Sequence, residues 1–261
     1  MKTEIYYFSG AGNSLAVAKD LKILLGHTEI IPIIQAMRQE TVETDADVVG
    51  IVFPCYFLDA PSLVKNFVAR LRLKDGCYVF SIVTSNAKPG NSLFTIDRIL
   101  KKKESRLAAG FNIDMPGIYI GLVDYSNPVG EQNHRLQNEK IKIKKIADII
   151  NNKSIAGIEG TYSLQTAIMG KIDSFIVMKV YRGDKKFWLN DSCNQCGMCA
   201  KVCPHKNIVI SEEKSRWSDN CMQCLACLHW CPQRAIENGK KTPLRIRYHH
   251  PEIKLKEMML K

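Results

Sequence analysis

The sequence contains no apolar run of about 18 residues, the length that a membrane-spanning helix requires. It also lacks the basic start and the long apolar stretch of a signal peptide, because Met1–Ser9 has the pattern of a strand. We find no Ser/His/Asp set, no paired acid–base carboxylates and no zinc-peptidase motif, so no catalytic residue is predicted. We therefore expect a cytoplasmic protein without a membrane span.

Cysteine is almost absent from the first 180 residues, which hold only Cys55 and Cys77. The remaining eight of the ten cysteines lie within residues 193–231. A secreted protein would distribute its cysteines to form disulfides, whereas crowding of this kind in an intracellular chain indicates metal ligands.

Strand and helix patterns alternate over the first 120 residues. The predicted strands are Glu4–Phe8, Ile30–Ile34, Ala46–Phe53, Cys77–Thr84 and Ala108–Met115, and the predicted helices are Asn13–Leu25, Ser62–Leu73 and Phe94–Lys103. This alternation predicts an α/β fold with a doubly wound parallel sheet.

The residues after the sheet divide into further helices and a second domain. Glu139–Asn152 has the pattern of an amphipathic helix with Ile141, Ile146 and other isoleucines facing inward, and residues 163–181 form one more helix. Residues 182–191 have the composition of a linker, so we expect domains at 1–181 and 182–261. The second domain ends in a basic tail, residues 240–261, whose order the pattern leaves open.

A cysteine motif occurs twice in the second domain. Cys193-x2-Cys196-x2-Cys199-x3-Cys203-Pro204 is followed by Cys221-x2-Cys224-x2-Cys227-x3-Cys231-Pro232. The first three cysteines of each run can bind different irons of one cubane, while the fourth can reach a second cluster. Zinc would accept the paired cysteines, but it does not require a third step and a trailing Cys-Pro, twice.

The repeat resembles bacterial-type two-cluster ferredoxins over roughly residues 187–238. The resemblance implies a small α+β domain in which the fourth cysteine of each run binds the other cluster. One [4Fe–4S] cluster is then held by Cys193, Cys196, Cys199 and Cys231, and the other by Cys221, Cys224, Cys227 and Cys203. His205 and His229 lie near these ligands and could tune the clusters, although solvent exposure is the commoner fate of such residues.

A glycine-containing loop, Phe8–Ser14, joins the first strand to the first helix. Such a loop offers backbone N–H groups and the helix dipole to a phosphate. It is neither the dinucleotide pattern, because Leu15 takes the place of the third glycine, nor a P-loop. It resembles the phosphate loop of flavodoxins, in which Ser9, Gly12 and Ser14 match and Ala11 lacks a hydroxyl. The resemblance implies that Ser9, Gly10, Ala11, Gly12, Asn13 and Ser14 bind the phosphate of FMN.

A flavodoxin-like sheet has the strand order 2-1-3-4-5 and binds its ligand at the carboxyl ends of the strands. The loops placed there imply further FMN contacts from Pro54, Cys55, Tyr56, Phe57, Thr84, Ser85, Asn86 and Gly90. Tyr56 and Phe57 are suited to lie against the flavin ring, or they are ordinary core aromatics. Residues 86–88, including Ala87, stand where flavodoxins place a second aromatic residue, so one flavin face is expected to lie open. Lys88 could raise the flavin potential, or it is a solvated lysine.

The whole chain resembles the flavodoxin–ferredoxin fusion proteins of anaerobes. The resemblance implies an electron-transfer protein that passes electrons between two [4Fe–4S] clusters and FMN, and on to a redox partner. One alternative is an FMN-dependent reductase of a small molecule, fed through the clusters. Another is a docking domain without flavin. No nicotinamide site is visible.

The composition, with 46% hydrophobic and 24% charged residues among 261, is that of a globular protein. The formal charge is +11, with the larger excess of Lys and Arg after residue 181. Clusters with thiolate ligands offset part of it, and an acidic redox partner explains the remainder at least as well as nucleic acid. Basic and aromatic residues do not interleave as in single-strand binders, so no nucleic-acid partner is expected.

Overall fold

A computed structural model describes residues 1–86, 88–211 and 215–260; Ala87 of the predicted third flavin loop lies outside them. The elements of the first unit follow in chain order. They are β1 (Thr3–Tyr7), α1 (Asn13–Leu25), β2 (Thr28–Pro32), α2 (Ile33–Ala36), β3 (Val42–Glu43), β4 (Val48–Pro54), α3 (Ser62–Arg70), β5 (Leu71–Arg72), β6 (Tyr78–Ser85), α4 (Ser92–Lys101), β7 (Ala109–Asp114), α5 (Val129–Asn151), β8 (Gly157–Ile158) and α6 (Leu164–Phe175). A π-helical turn, Ile176–Val180, continues α6.

The main sheet has six strands in the order β2-β1-β4-β6-β7-β8, and every neighbouring pair is parallel. Without the short β8, this is the predicted order 2-1-3-4-5, so the predicted flavodoxin-like fold class is confirmed. Strand β4 is buried along its whole length, as its unbroken apolar sequence predicts. The short strands β3 and β5 pair separately.

Helices cover both faces of the sheet and divide the core in two. On one face, α1 and α5 bury residues such as Leu21 and Ile146. On the other, α3 and α4 bury residues such as Phe67 and Ile96, and this core extends to Trp230 of the second unit. The second unit therefore shares a core with the first rather than being joined by a free tether.

Several helix and strand boundaries differ from the prediction, most of all those of β2 and α5. Strand β2 ends at Pro32, because the residues after it turn into α2. Helix α5 begins at Val129, so its buried stripe includes Ile143, while Ile141, predicted to face inward, is exposed. At 100° per residue, Ile141 lies about 160° around the helix from Ile143, so it cannot share the buried side with Ile146 and Ile150.

The second unit is small and mostly irregular. Its elements are β9 (Phe187–Leu189), α7 (Met198–Lys201), β10 (Ile208–Ile210), β11 (Ser215–Trp217), α8 (Ala226–His229), β12 (Ile236–Asn238) and α9 (Leu255–Met258). Strand β9 pairs with β12 and β10 with β11, both antiparallel. The stretch 182–191, predicted to be a linker, thus supplies a strand. Among the described residues, no helix is both long and apolar enough to cross a membrane.

Candidate cofactor sites

A cavity of about 470 Å³ lies at the carboxyl ends of β1, β4 and β6. All predicted flavin-contacting residues line it except Gly12 and Gly90: they are Ser9, Gly10, Ala11, Asn13, Ser14, Pro54, Cys55, Tyr56, Phe57, Thr84, Ser85 and Asn86. Gly12 lies within the loop but contacts the C-terminal segment, and Gly90 packs against Leu58. The volume is in the range of small-molecule and cofactor pockets.

The loop before α1 leaves its amide groups available to an anion. Gly12 N donates to Ser9 Oγ at 3.0 Å, and its φ of 97° turns the chain into the helix. No side chain caps α1 and no acidic residue lies in its first turn, although Asn13 and Ser14 are buried. Buried helix starts need a partner for their free N–H groups, and a phosphate fits here.

The loop after β4 is a tight turn closed by paired hydrogen bonds between Tyr56 and Asp59. Phe57 and Leu58 both have a positive φ. Tyr56 packs edge to face against Phe8, with 6.0 Å between the ring centroids, and its hydroxyl is buried without a partner among the described residues. Tyr56 thus lines the cavity and also packs in the core, while its contact with a flavin ring stays a prediction.

Cys55 lines the same cavity, and its Sγ lies 3.3 Å from the carbonyl oxygen of Pro89. Burial raises the pKa of the Cys55 thiol to about 11. At neutral pH it is a protonated thiol, which is a poor nucleophile. Lys88 is exposed at the rim of the cavity.

Residues 116–125 cover the cavity, and the sequence did not predict this. Tyr119, Leu122, Val123 and Tyr125 give the cover an apolar inner surface. Gly117 N donates to Asn127 Oδ1 at 2.7 Å, and Asn86 Nδ2 donates to the carbonyl of Tyr125 at 3.0 Å. The unusual length of the β7–α5 connection and its aromatic residues were the available signal.

Basic and histidine side chains of the second unit hold this cover in place. Arg245 Nη1 donates to the carbonyl of Ile120 at 3.0 Å. His229, for which exposure was the common expectation, is buried, with its Nε2 2.7 Å from the carbonyl of Ile118 and its Nδ1 accepting from Tyr248 N. Burial lowers the pKa of His229 to about 4, so the ring is neutral. Nε2 therefore carries the proton that Ile118 accepts.

The eight predicted ligands line two separate small cavities of the second unit. Cys193, Cys196, Cys199 and Cys231 line one, together with Leu189 and Ile236. Cys203, Cys221, Cys224 and Cys227 line the other, together with Phe187 and Trp217. Each cavity thus brings together three cysteines of one run and the last cysteine of the other run.

The cysteines of each set are spread around a cavity, as the ligands of a cubane are. All ten are free of disulfides. Within the described ranges, no three His, Cys, Asp or Glu side chains converge as ligands of one ion. Thiolates spread around a cavity can instead each bind a different iron of a cluster. Burial raises the pKa of Cys221 to about 11, so the charge of bound iron is needed to hold it as thiolate.

Backbone amides point at several of these sulfurs. Asn207 N donates to Cys203 Sγ at 3.2 Å, Ala235 N to Cys231 Sγ at 3.3 Å, and Gln223 N to Cys221 Sγ at 3.4 Å. Hydrogen bonds to ligand sulfurs stabilise negative charge and so set the cluster potential.

We name the cavity at the ends of β1, β4 and β6 the flavin cavity, after the ligand that the resemblance implies. It adjoins the cavity lined by Cys203, Cys221, Cys224 and Cys227, which we name the inner cluster cavity. Leu225 lines both, and Gln223 also reaches the flavin cavity. A Cβ on Gly10 would lie 2.9 Å from the carbonyl oxygen of Cys224 and 2.7 Å from Tyr56 Oη. The absence of a side chain at Gly10 thus permits the close approach of the two loops.

The C-terminal segment, residues 245–260, is ordered and returns to the first unit. Tyr248 Oη donates to Asn13 Oδ1 at 2.7 Å, and His250 N donates to the carbonyl of Ala11 at 2.8 Å. Glu257 pairs with Lys19 of α1 at 2.7 Å. The basic tail, whose order the sequence left open, therefore fixes the outer side of the glycine loop.

Comparison with protein families matches residues 192–236 to the 4Fe-4S dicluster domain. Comparison with curated proteins gave no match. Solved structures of similar fold include rubredoxin:oxygen oxidoreductase from Desulfovibrio gigas, with 14% identity, a TM-score of 0.38 and coverage of 60% of this chain and 37% of that one. A flavodoxin of Streptococcus pneumoniae TIGR4 has 15% identity, a TM-score of 0.34 and coverage of 56% and 99%. An FMN-dependent NADH-azoreductase from Bacillus anthracis has 13% identity, a TM-score of 0.39 and coverage of 58% and 100%.

With TM-scores below 0.5, these likenesses add no argument to the strand order, on which the fold assignment rests. The family match rests on the second unit alone. The strand order confirms the predicted flavodoxin-like fold class, and the family match confirms the predicted ferredoxin-type part, while the predicted domain bounds stay a prediction. The chain joins a flavodoxin-like α/β domain to a 4Fe–4S dicluster domain, as in flavodoxin–ferredoxin fusions.

Proposed function

We propose that this protein transfers electrons between two [4Fe–4S] clusters and an FMN, and exchanges them with a redox protein. The contact between the inner cluster cavity and the flavin cavity, which share Leu225, is the observation that supports it most directly. Cofactors separated by a single side chain are close enough to exchange electrons without a further carrier.

The proposal assigns one order to the three sites. Cys196 is exposed, whereas Cys224 and Cys227 are buried. The cavity of Cys193, Cys196, Cys199 and Cys231, the outer cluster cavity, therefore faces the partner, and the inner one faces the flavin. The excess of basic residues in the second unit favours an acidic partner in the cytoplasm.

In this scheme, bound FMN would connect one-electron and two-electron partners, while the clusters would supply single-electron steps. The glycine loop would hold the phosphate with the N–H groups at the start of α1. Ser14 Oγ, 2.8 Å from Thr84 Oγ1, would offer a hydroxyl on the same side. Residues 116–125 would exclude water from the ring, and Tyr56 and Phe57 would wall its other sides.

Cofactor analysis of anaerobically purified protein tests the proposal. We expect about eight iron and eight sulfide per chain and one FMN, with flavin reduction following cluster reduction in a rapid-mixing experiment. Four or fewer irons, or the absence of flavin after reconstitution with FMN, would contradict it.

A second candidate is an FMN-dependent reductase of a small molecule. It is favoured by the apolar and aromatic lining from Tyr119, Leu122 and Tyr125, which extends the cavity beyond the strand ends. Reduction of quinones, nitro compounds or enoates by the holoprotein, with dithionite as donor, would support it. Loss of that activity in a Tyr125→Lys variant that keeps its FMN would assign the reaction to this cavity.

A further inference from the structure

Helix α6 and the π-helical turn after it expose an unusual number of large apolar side chains. Together with the cavity cover they form a surface that we name the apolar face. Its members are Leu122, Val123, Tyr125, Tyr162, Leu164, Ile168, Met169, Ile172, Phe175, Ile176 and Val180, each more than a third exposed. An exposed apolar patch of several hundred Å² often marks a functional or interaction surface.

The helical repeat places four of these residues on one outward side of α6. At 100° per residue, Leu164, Ile168, Ile172 and Phe175 fall within about 80° of one another. The opposite side includes Gly170, the buried residue of α6. A Cβ on Gly170 would collide with the carbonyl oxygen of Phe57, so the absence of a side chain there permits this side of the helix to pack closely on the loop after β4.

Anchoring contacts fix α6 on the first unit. Ser163 accepts a hydrogen bond from Thr166 N and caps the helix. Asn91 Nδ2 donates to the carbonyl of Ser163 at 2.8 Å, and Ser163 N donates to Asn91 Oδ1 at 3.0 Å. Because the helix is capped and held, its outward apolar residues belong to a built surface.

The apolar face is continuous around the mouth of the flavin cavity. Leu122, Val123 and Tyr125 line the cavity from the cover, and Ile176 and Val177 line it from the end of α6. Whatever covers this face also closes the mouth.

The size of the face matches one half of a dimer interface. The exposed fractions of its members add up to about five or six whole side chains. At roughly 60–120 Å² per buried apolar side chain, this is on the order of 500 Å². A standard interface buries about 800 Å² per partner, of which about two thirds is apolar in homodimers. An apolar area of at least this order is enough for one half of such an interface.

The charges around the face favour a second copy of this chain over an anionic membrane or an acidic protein as its partner. Within the spans that carry the face, residues 122–125 and 162–180, the charged residues are Asp124, Lys171, Asp173 and Lys179, two of each sign. Helices that lie on anionic lipid carry several Lys and Arg on the polar side, and a surface for an acidic protein is likewise basic. A charge-poor face that is apolar across its centre is typical of homodimers, in which the same patch meets itself about a two-fold axis.

We propose that the apolar face joins two copies of this chain in solution, with α6 of each copy packed across the other and both flavin cavities closed at the interface. The proposal concerns association and does not depend on the identity of the cofactors.

Sedimentation equilibrium of the anaerobically prepared holoprotein tests it over a wide range of concentrations. We expect the wild type to have twice the mass of the chain. The double variant Ile168→Glu, Ile172→Glu should dissociate at least about 100-fold more readily, because each carboxylate buried without a partner costs more than about 1.4 kcal/mol. Ile155→Glu is the matched control, since Ile155 is more exposed than either residue and lies next to Ala108, at the opposite end of the strands from the cavity mouth.

The iron and flavin contents report whether the variants fold. If the double variant loses its cofactors, Leu164→Glu at the start of α6 replaces it. A wild type of single-chain mass at every concentration overturns the proposal, as does a double variant that still dimerises. Sedimentation of a monomeric wild type with phosphatidylcholine–phosphatidylserine vesicles would also overturn it and would assign the face to lipid.

Discussion

The indole Nε1 of Trp230 donates a hydrogen bond to the carbonyl oxygen of Gly10, with 3.0 Å between the two atoms. Trp230 follows α8 of the cluster unit, and Gly10 lies in the glycine loop before α1. Both atoms are buried, and the indole also stacks on His249 at 4.5 Å between ring centroids. This contact ties the position of the iron–sulfur unit to the position of the flavin cavity.

Replacing Trp230 with phenylalanine should weaken both sites. The variant leaves the Gly10 carbonyl buried without a partner, at a cost of about 1–3 kcal/mol. We expect this loss in denaturant unfolding of the holoprotein and a weaker affinity for FMN. Trp188→Phe is the control, because Trp188 donates to the carbonyl of Gly239 at 2.9 Å but is exposed. An equal loss in the two variants would contradict a special role for Trp230.

Gly10→Ala should separate the two loops that meet at the flavin cavity. Its Cβ would come within 2.9 Å of the Cys224 carbonyl, which is backbone and cannot rotate away. Overpacking of this kind costs about 1–3 kcal/mol, so we expect FMN affinity to fall about tenfold in fluorescence titrations. Gly130→Ala provides the comparison, since its Cβ would meet nothing within 4 Å. Unchanged affinity in Gly10→Ala would show that the approach of the loops is dispensable.

Single cysteine variants should separate the two clusters. We expect Cys203→Ser and Cys231→Ser each to reduce iron from about eight to about four per chain, while the isolated Cys77→Ser keeps all of it. Only Cys203→Ser should abolish electron transfer from the remaining cluster to the flavin, because Cys203 lines the inner cavity. The opposite pattern, measured by rapid mixing with dithionite, would mean that the fourth cysteines stay with their own runs.

A buried carboxyl beside the C-terminal segment should make stability depend on pH. Burial raises the pKa of Glu139 to about 8, Asp20 adds to the shift, and Lys140 opposes it. A carboxyl with a raised pKa stabilises the fold below its unfolded pKa and loses that contribution as the pH rises towards the folded value. The contribution of Glu139 to the free energy of unfolding therefore declines by about 1.4 kcal/mol per pH unit between roughly pH 5 and 8.

Glu139→Gln should remove this decline, so the free energy of unfolding of the variant should rise relative to that of the wild type between about pH 6 and 8. Denaturant midpoints at several pH values measure it. Glu29→Gln, at an exposed carboxyl of β2, should follow the wild type. Parallel curves for Glu139→Gln and the wild type would refute the assignment.

The parts of the molecule that the sequence predicted are those encoded locally. The cysteine runs and the glycine loop each place their residues by short spacing, and strands such as β4 are marked by unbroken apolar sequence. The cavity cover could not be predicted in the same way. It is held by Arg245 and His229, which are more than a hundred residues away along the chain.

The outward apolar face of α6 was missed for a related reason. An apolar stripe on a helix predicts burial, but the stripe itself does not say whether its own domain or another surface will cover it. The side that packs is marked only by Gly170, a residue that usually argues against a helix interior.

The chain crosses between its halves twice, once near residue 181 and again when the segment after Arg245 comes back to Ala11 and Lys19. A body joined by a single crossing can swing about it, whereas one joined by two is fixed in distance and angle. For the proposed electron transfer, the tunnelling distance would then be a constant of the fold, and the rate would depend on driving force rather than on waiting for the halves to meet.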